Sequence, residues 1–191
     1  MKLFSLLRED LLAARSQDPA ATSTAEVALL YSGVHALWMY RLTHVLWQRP
    51  GTKGIARLLS QVTRTFTGIG IHPGASIGHR LFIDHGTGVV VGETAVIGDD
   101  VVIYQGVTLG GKATNEKMRH PSIGNRVMLG SGAKVLGPVT IGSDSAVGAN
   151  AVVVTDIPGG AIAVGIPAHW RFRGAKEAVP RDVFIDPVLL T

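Results

Sequence analysis

The sequence predicts a mainly β fold in which a parallel β-helix follows a short α-helical segment. Two observations predict the β-helix: after Gly68 an aliphatic residue returns every six positions, and 21 of the 24 glycines lie at or beyond Gly68. A third predicts the helical segment, because the apolar residues before Gly68 recur at spacings of three and four. We therefore expect a helical domain at residues 1–67, a β-helix at 68–170 and a C-terminal tail at 171–191.

The helical segment divides into three expected helices. The first ends before Pro19, because a residue that precedes proline avoids the helical conformation. Ser23 followed by Glu26 matches a capping box and opens the second helix. Pro50 and Gly51 then end it. The expected apolar faces are Leu3, Leu6, Leu7, Leu11 and Ala14 in the first helix, Leu30, Val34, Leu37, Trp38, Leu42 and Val45 in the second, and Ile55, Leu58, Leu59, Val62 and Phe66 in the third.

The six-residue period excludes an α-helix, since six residues at about 100° each return to about 240° rather than to one face. In a parallel β-helix each six-residue unit forms a short strand and a corner, and about three units close one coil. The aliphatic residue of each unit points inward, and glycine permits the tight corners. The expected inward positions are Ile71, Ile77, Ile83, Val91, Ile97, Ile103, Leu109, Ile123, Leu129, Val135, Ile141, Val147 and Val153.

Two insertions interrupt the repeat, and each contains a histidine beside a charged residue. The first lengthens one step to eight residues and contains Asp84 and His85. The second lengthens a step to fourteen residues and contains Arg119 and His120. Because regular coils act as scaffold, function is expected where loops interrupt them. These four residues are the candidate site.

Three interpretations of the histidines are open on residue types alone. In the first, His85 is a general base that activates a hydroxyl, while Arg119 and His120 bind an anionic acceptor; the pKa of histidine, about 6.5, suits this work. In the second, His72, His79 and His85 bind zinc, but their spacing of six or seven places them on successive faces of the coil. In the third, the histidines lie on the surface of a scaffold without catalytic activity.

Composition excludes several classes of protein. The net charge of +4 arises before Gly68, and no dense basic tract alternates with aromatic residues, so a nucleic-acid partner is not expected. No apolar run reaches the roughly 18 residues of a membrane span, and charges follow the first seven residues too early for a signal sequence. A cytoplasmic protein is expected. The absence of cysteine excludes disulfides, thiolate metal sites and a thiol nucleophile.

The insertions also carry a specific resemblance. The segment IDHGTGVVVGETAVIG at residues 83–98 resembles the signature of bacterial serine O-acetyltransferases, and GVTLGG at 106–111, followed by Arg119-His120-Pro121, continues it. In the helical segment, Asp18-Pro19, Tyr40-Arg41 and Leu46-Trp47 fall where that family has similar residues. The resemblance covers about residues 8–170, nearly the whole chain.

The resemblance implies a left-handed parallel β-helix of hexapeptide repeats with an N-terminal α-helical domain. It implies homotrimers, in some members paired into hexamers, with active sites between neighbouring β-helices. The implied reaction transfers acetyl from acetyl-CoA to the hydroxyl of L-serine, without a metal, and gives O-acetyl-L-serine for cysteine biosynthesis.

The resemblance also implies roles for individual residues. His85 would remove the hydroxyl proton, Arg119 would bind the amino-acid carboxylate, and His120 would line the pocket. Asp18 and Asp84 would face the ammonium group. These residue types suit a free amino acid, since its two opposite charges require both an arginine and a carboxylate.

For CoA, the resemblance implies contacts of the pantetheine arm with the backbone around four small residues. These are Gly111, Ser131, Gly132 and Ala149. The candidate cations for the CoA phosphates are Lys134, Arg171, Arg173 and Lys176. A solvated basic stretch explains Arg173 and Lys176 equally well. Glu93 is expected to have a structural role and to form a hydrogen bond at a corner of the coil.

One departure from the family concerns the general base. Two residues before the histidine of the Ile-His-Pro motif the family has a carboxylate that orients the catalytic histidine, and here Gly70 occupies that position. Three explanations are open: a slow enzyme, another carboxylate such as Asp84 or Glu93, or a changed reaction. The alternatives to a serine acetyltransferase are a paralogue that acylates another small hydroxylated amino acid and a weakly active binding or regulatory protein.

Three smaller departures concern loops and the terminus. The loop at 112–118 has fewer glycines than is usual in the family, and Gly86 replaces a common alanine. Family members that dock onto O-acetylserine sulfhydrylase end in isoleucine, whereas this chain ends in Thr191, which argues against that docking.

Overall fold

The structure is a computed structural model that describes residues 3–112 and 118–172. Four α-helices precede the β-structure: α1 (Leu3–Gln17), α2 (Thr24–Leu30), α3 (Ser32–Trp47) and α4 (Lys53–Thr67). The capping box of α2 is confirmed, since the Ser23 hydroxyl accepts the Glu26 N–H and the Glu26 carboxylate accepts the Ser23 N–H. The predicted second helix is wrong in one respect, because Tyr31 is extended (φ −85°, ψ 107°) and divides it into α2 and α3.

The predicted apolar faces of the later helices are largely wrong. Leu30, Leu42 and Val45 are exposed, as are Ile55, Leu58, Val62 and Phe66. The buried positions of α4 are the small residues Ala56 and Ser60, and Ser60 lines a small gap against Tyr40 of α3. Small side chains allow two helices to approach closely, so α4 packs through them and its apolar side faces outward.

Fifteen short strands follow. They are β1 (Gly70–Ile71), β2 (Ser76–Ile77), β3 (Phe82–Ile83), β4 (Val90–Val91), β5 (Val96–Ile97), β6 (Val102–Ile103), β7 (Thr108–Gly110), β8 (Ser122–Ile123), β9 (Met128–Leu129), β10 (Lys134–Leu136), β11 (Thr140–Ile141), β12 (Ala146–Val147), β13 (Val152–Val153), β14 (Ala161–Val164) and β15 (His169–Phe172). Strands three apart pair in parallel, and β14 pairs in parallel with β12, which gives three sheets: face 1 (β1-β4-β7-β10-β13), face 2 (β2-β5-β8-β11) and face 3 (β3-β6-β9-β12-β14). β15 closes face 3 in antiparallel orientation.

The predicted core is confirmed. All thirteen expected inward positions are buried, each at most 9% exposed, and they form one continuous cluster along the prism. The register matches the repeat, since Val91 pairs with Leu109 and Leu109 with Val135 on face 1. Along each strand, outward-facing residues therefore alternate with aliphatic residues that point into the core.

The corners between faces position the candidate residues. We call the turns from face 3 to face 1 (residues 84–89, 104–107, 130–133 and 148–151) the His85 corner. We call the turns from face 1 to face 2 (residues 72–75, 92–95, 118–121 and 137–139) the Arg119 corner. The third corner carries exposed ion pairs between successive coils, Arg80 with Asp100 and Arg126 with Asp144.

A buried ion pair attaches the helices to the β-helix. The Arg41 guanidinium of α3 donates to both carboxylate oxygens of Asp10 in α1, at 3.1 Å each. It also donates to the carbonyl oxygens of Ile77 and Gly78, at 2.7 and 2.6 Å. One cation thus satisfies a buried carboxylate and two carbonyls at the end of β2. Among the described residues, no helix is long and apolar enough to cross a bilayer.

Candidate active site

His85 lies on a tight turn at the end of β3. Its backbone is left-handed (φ 56°), as is that of Gly86 (φ 74°). A Cβ atom at Gly86 would lie 2.4 Å from the Ile69 side chain, so glycine is required by the packing found here. The turn leaves the His85 side chain 76% exposed, with Nε2 3.9 Å from the nearer Asp84 oxygen. That distance exceeds a hydrogen bond, so Asp84 does not orient the ring.

Asp18 and Asp84 share one cavity with His85. This cavity, of about 270 Å³, is also lined by Tyr31 and Ser32. The Tyr31 hydroxyl donates to Asp18 at 2.5 Å and the Ala20 N–H donates at 2.8 Å. These bonds lower the pKa of Asp18, so its carboxylate is ionised at neutral pH. Two carboxylates and an imidazole therefore face the same space.

A groove continues from His85 along the same corner. It encloses about 260 Å³ and is lined by Asp84, His85, Tyr104, Gln105, Met128, Gly130, Ser131, Val147, Gly148 and Ala149. Two of the expected pantetheine contacts, Ser131 and Ala149, line it, and Gly132 forms the adjacent turn with φ 71°. Gln105 was not anticipated, and its side-chain oxygen is buried with no partner among the described residues. An unpaired acceptor in a narrow groove suits an amide N–H such as those of pantetheine.

Arg119 and His120 lie at the other corner. The Arg119 guanidinium donates to Glu93 at 2.5 Å, and this bond lowers the pKa of Glu93. His120 is buried, and its Nδ1 accepts the Thr94 hydroxyl and N–H at 2.8 and 3.2 Å. Burial lowers the pKa of His120, so its ring is neutral with the proton on Nε2. Gly111 lies here, beside the Arg119 carbonyl, and not with Ser131 and Ala149.

The Arg119 corner has a cavity of its own, of about 250 Å³. Its lining is Arg57, Ser60, Gln61, Arg64, Gly70, Ile71, His72, Val90, Val91, Gly92, Glu93, Arg119 and His120. It shares no lining residue with the cavities at His85. The two insertions therefore place their histidines at different corners of the prism, and one chain does not bring His85 and Arg119 into one site.

His72 and His79, the other two histidines of the zinc interpretation, have local partners. His72 accepts the Gly74 N–H through Nδ1 at 2.9 Å and packs edge-on against Trp47, and burial lowers its pKa to about 4. His79 bonds Glu9 through Nδ1 at 2.8 Å. Across residues 3–112 and 118–172, no three or more His, Asp or Glu side chains are grouped to hold a metal ion.

The remaining candidates have other partners or lie outside the described residues. The Lys134 ammonium donates to the Gly106 carbonyl oxygen, and Arg171 lies on β15. Arg173, Lys176, Thr191 and most of the loop at 112–118 lie outside the described residues. Within one chain, neither Asp84 nor Glu93 replaces the carboxylate that is missing at Gly70. Asp84 lies 3.9 Å from His85, too far for a hydrogen bond, and Glu93 binds Arg119.

Comparison with known proteins identifies the family. The profile described as "Bacterial transferase hexapeptide (six repeats)" matches residues 120–155. The serine acetyltransferase of Mycobacterium tuberculosis is 56% identical over 167 residues, which are 87% of this chain and 72% of that protein. The chain belongs to the serine acetyltransferase family. The resemblance seen in the sequence is thereby confirmed.

Solved structures of the family agree with the fold. Soybean serine acetyltransferase complexed with serine has a TM-score of 0.85 at 44% identity, over 88% of this chain and 69% of that chain. A serine acetyltransferase in complex with CoA has a TM-score of 0.83 at 41% identity, over 88% and 70%. The left-handed β-helix with an N-terminal helical domain, predicted from the resemblance, is the fold of this chain.

Proposed function

We propose that this chain transfers the acetyl group of acetyl-CoA to the hydroxyl of L-serine, forming O-acetyl-L-serine. The observation that carries the proposal is the cavity shared by His85, Asp18 and Asp84, which opens beside a groove with an unpaired amide acceptor. An ammonium-bearing acceptor fits the two carboxylates, and an exposed imidazole fits proton transfer. The relatives named serine acetyltransferase support the same reaction.

The site is completed by a neighbouring copy of the chain in a homotrimer. His85, Asp84 and Asp18 come from one copy, and Arg119 and His120 come from the next. Two considerations support this assembly: the two groups line separate cavities within one chain, and each group alone provides the charge for only one end of an amino acid. In this proposal the helical domain (1–67) supplies Asp18 and the β-helix (68–170) supplies the other residues.

Each residue then has one task. Asp18 and Asp84 bind the ammonium group, while Arg119 binds the carboxylate. His85 accepts the hydroxyl proton as the serine oxygen forms its bond to the acetyl carbonyl carbon. The carbon–sulfur bond breaks, and the CoA sulfur takes up the proton that His85 removed, so that CoA leaves as a thiol. A general base typically contributes about 10²–10⁴ in rate.

The groove at the His85 corner holds the pantetheine arm. Ser131 and Ala149 line it, and the Gln105 oxygen accepts an amide N–H. Gly111 lies at the opposite corner, so the backbone around it contacts the pantetheine arm that is bound to the neighbouring copy. When bound, acetyl-CoA supplies an activated acetyl group. Since acetyl-CoA is an intracellular metabolite, we place the reaction in the cytoplasm.

Release of thiol from acetyl-CoA tests the reaction. We expect turnover with L-serine that exceeds turnover with L-homoserine, L-threonine or no acceptor. A higher kcat/KM for L-homoserine or L-threonine would assign the chain to a paralogue with another acceptor. Acceptor-independent release, or none at all, would overturn the proposed function.

A further inference from the structure

Two arginines in the cavity at the Arg119 corner have no acidic partner among the described residues. Arg57 and Arg64 are seven residues apart on α4, about two helical turns, so they lie on the same side of the helix. Both line the cavity, and neither side chain forms an ion pair or hydrogen bond with any residue in 3–112 or 118–172. Unpaired guanidinium groups on one side of a cavity constitute a site for an anion.

Gly70 provides the space beneath Arg64. Ile71 points into the core, so a side chain at the preceding position would point outward from face 1. A Cβ atom at Gly70 would lie 3.4 Å from Cδ and 3.7 Å from Nε of Arg64. The position that carries no side chain is therefore the one directly beneath the guanidinium group.

The charges of the cavity are unbalanced. Three guanidinium groups line it, at Arg57, Arg64 and Arg119, against the single carboxylate of Glu93. Glu93 is bound to Arg119, which leaves Arg57 and Arg64 without a counter-charge among the residues that the structure describes. The cavity therefore attracts one anionic group in addition to any group that Arg119 binds.

The guanidinium groups of Arg57 and Arg64 are the side-chain donors that can bind an additional anion. The backbone N–H groups of Gly70, His72 and Gly92 donate to carbonyl oxygens of the next coil, at 2.8–3.1 Å. These three N–H groups are therefore not available to an anion in the cavity. The two planar guanidinium groups can each bind a carboxylate through two parallel hydrogen bonds.

We propose that Arg57 and Arg64 bind a carboxylate group above Gly70, at a subsite distinct from the one that Arg119 provides. The carboxylate belongs either to a free small anion such as acetate or to an acceptor that bears a second acidic group. Its use in catalysis rests on the proposed function, whereas the binding itself does not.

Saturation-transfer NMR of acetate tests the subsite, with the full chain at constant ionic strength and without acetyl-CoA or serine. We expect Arg57→Gln and Arg64→Gln each to weaken acetate binding about tenfold or more, since charge-assisted hydrogen bonds are lost. Gly70→Asp should abolish it, because a tethered carboxylate takes the same place. Arg49→Gln, which removes an exposed arginine elsewhere, should leave it unchanged.

Competition identifies the source of the carboxylate. The probe is threo-3-hydroxyaspartate, which is serine with a second carboxylate. Displacement of acetate by this compound but not by L-serine supports an acceptor with two acidic groups. Retention of acetate supports a free anion. Acetate binding of equal strength in the wild type, Arg57→Gln and Arg64→Gln would overturn the subsite, even if serine is acetylated; arginine-dependent binding without thiol release would overturn only the proposed function.

Discussion

Replacement of His85 by alanine is expected to lower kcat for L-serine by about 10²–10⁴-fold, the usual contribution of a general base. KM should change little, because Asp18, Asp84 and Arg119 still bind the two charged ends of the substrate. The effect is large because, among the described residues, the cavity with Asp18 and Asp84 contains no other imidazole in the same chain. His120 of the neighbouring copy cannot replace it, since its Nδ1 already accepts from Thr94 and its Nε2 carries the proton.

Thiol release at saturating acetyl-CoA measures this change. His169→Ala is the matched control, since it removes an exposed histidine on β15, outside the cavities at His85 and Arg119, and should leave kcat unchanged. A kcat within twofold of wild type for His85→Ala would show that another group accepts the proton.

Replacement of Arg41 by alanine is expected to lower the free energy of unfolding by about 3–5 kcal/mol, as breaking a buried ion pair does. The Arg41 and Asp10 side chains are 6% and 0% exposed, and removal of the guanidinium leaves the Asp10 carboxylate buried without a counter-charge. It also leaves the carbonyl oxygens of Ile77 and Gly78 without their donor. The helices and the β-helix then lose their main polar connection.

Urea unfolding, followed by tryptophan fluorescence, measures the loss. Arg126→Ala is the control, because its ion pair with Asp144 is exposed and such pairs contribute about 1 kcal/mol or less. Equal unfolding midpoints for the two variants would show that the buried pair does not stabilise the junction.

The β-helix was predictable because the six-residue spacing of its inward aliphatic residues can be read directly from the sequence. Each aliphatic residue at the sixth position must be buried, and all of them are. The helical domain was less predictable, because an apolar stripe does not show which side of a helix packs. In α4 the small residues Ala56 and Ser60 form the contact, while Leu58 and Phe66 face outward. The break in the second helix falls at Tyr31, which is neither glycine nor proline, so its residue type did not indicate the break.

The candidate residues could be chosen from the sequence, but their arrangement could not. Insertions in a regular repeat revealed His85 and Arg119, since only loops interrupt the coils. Their separation depends on which corner each insertion occupies. That corner is known only once the fourteen-residue step from Leu109 to Ile123 is assigned to a single turn. Gln105 could have been found by counting one coil on from His85. Arg64 could not, because its role depends on how α4 packs over face 1.

One active site requires two copies of the chain, and mixed oligomers test this requirement most directly. His85→Ala and Arg119→Ala chains, each nearly inactive alone, are co-expressed in equal amounts and assayed for thiol release with L-serine. Random assembly of a trimer gives about a quarter of the interfaces an intact His85 from one copy and an intact Arg119 from the next. We therefore expect the mixture to recover about a quarter of wild-type activity. A mixture no more active than its separate components would contradict it.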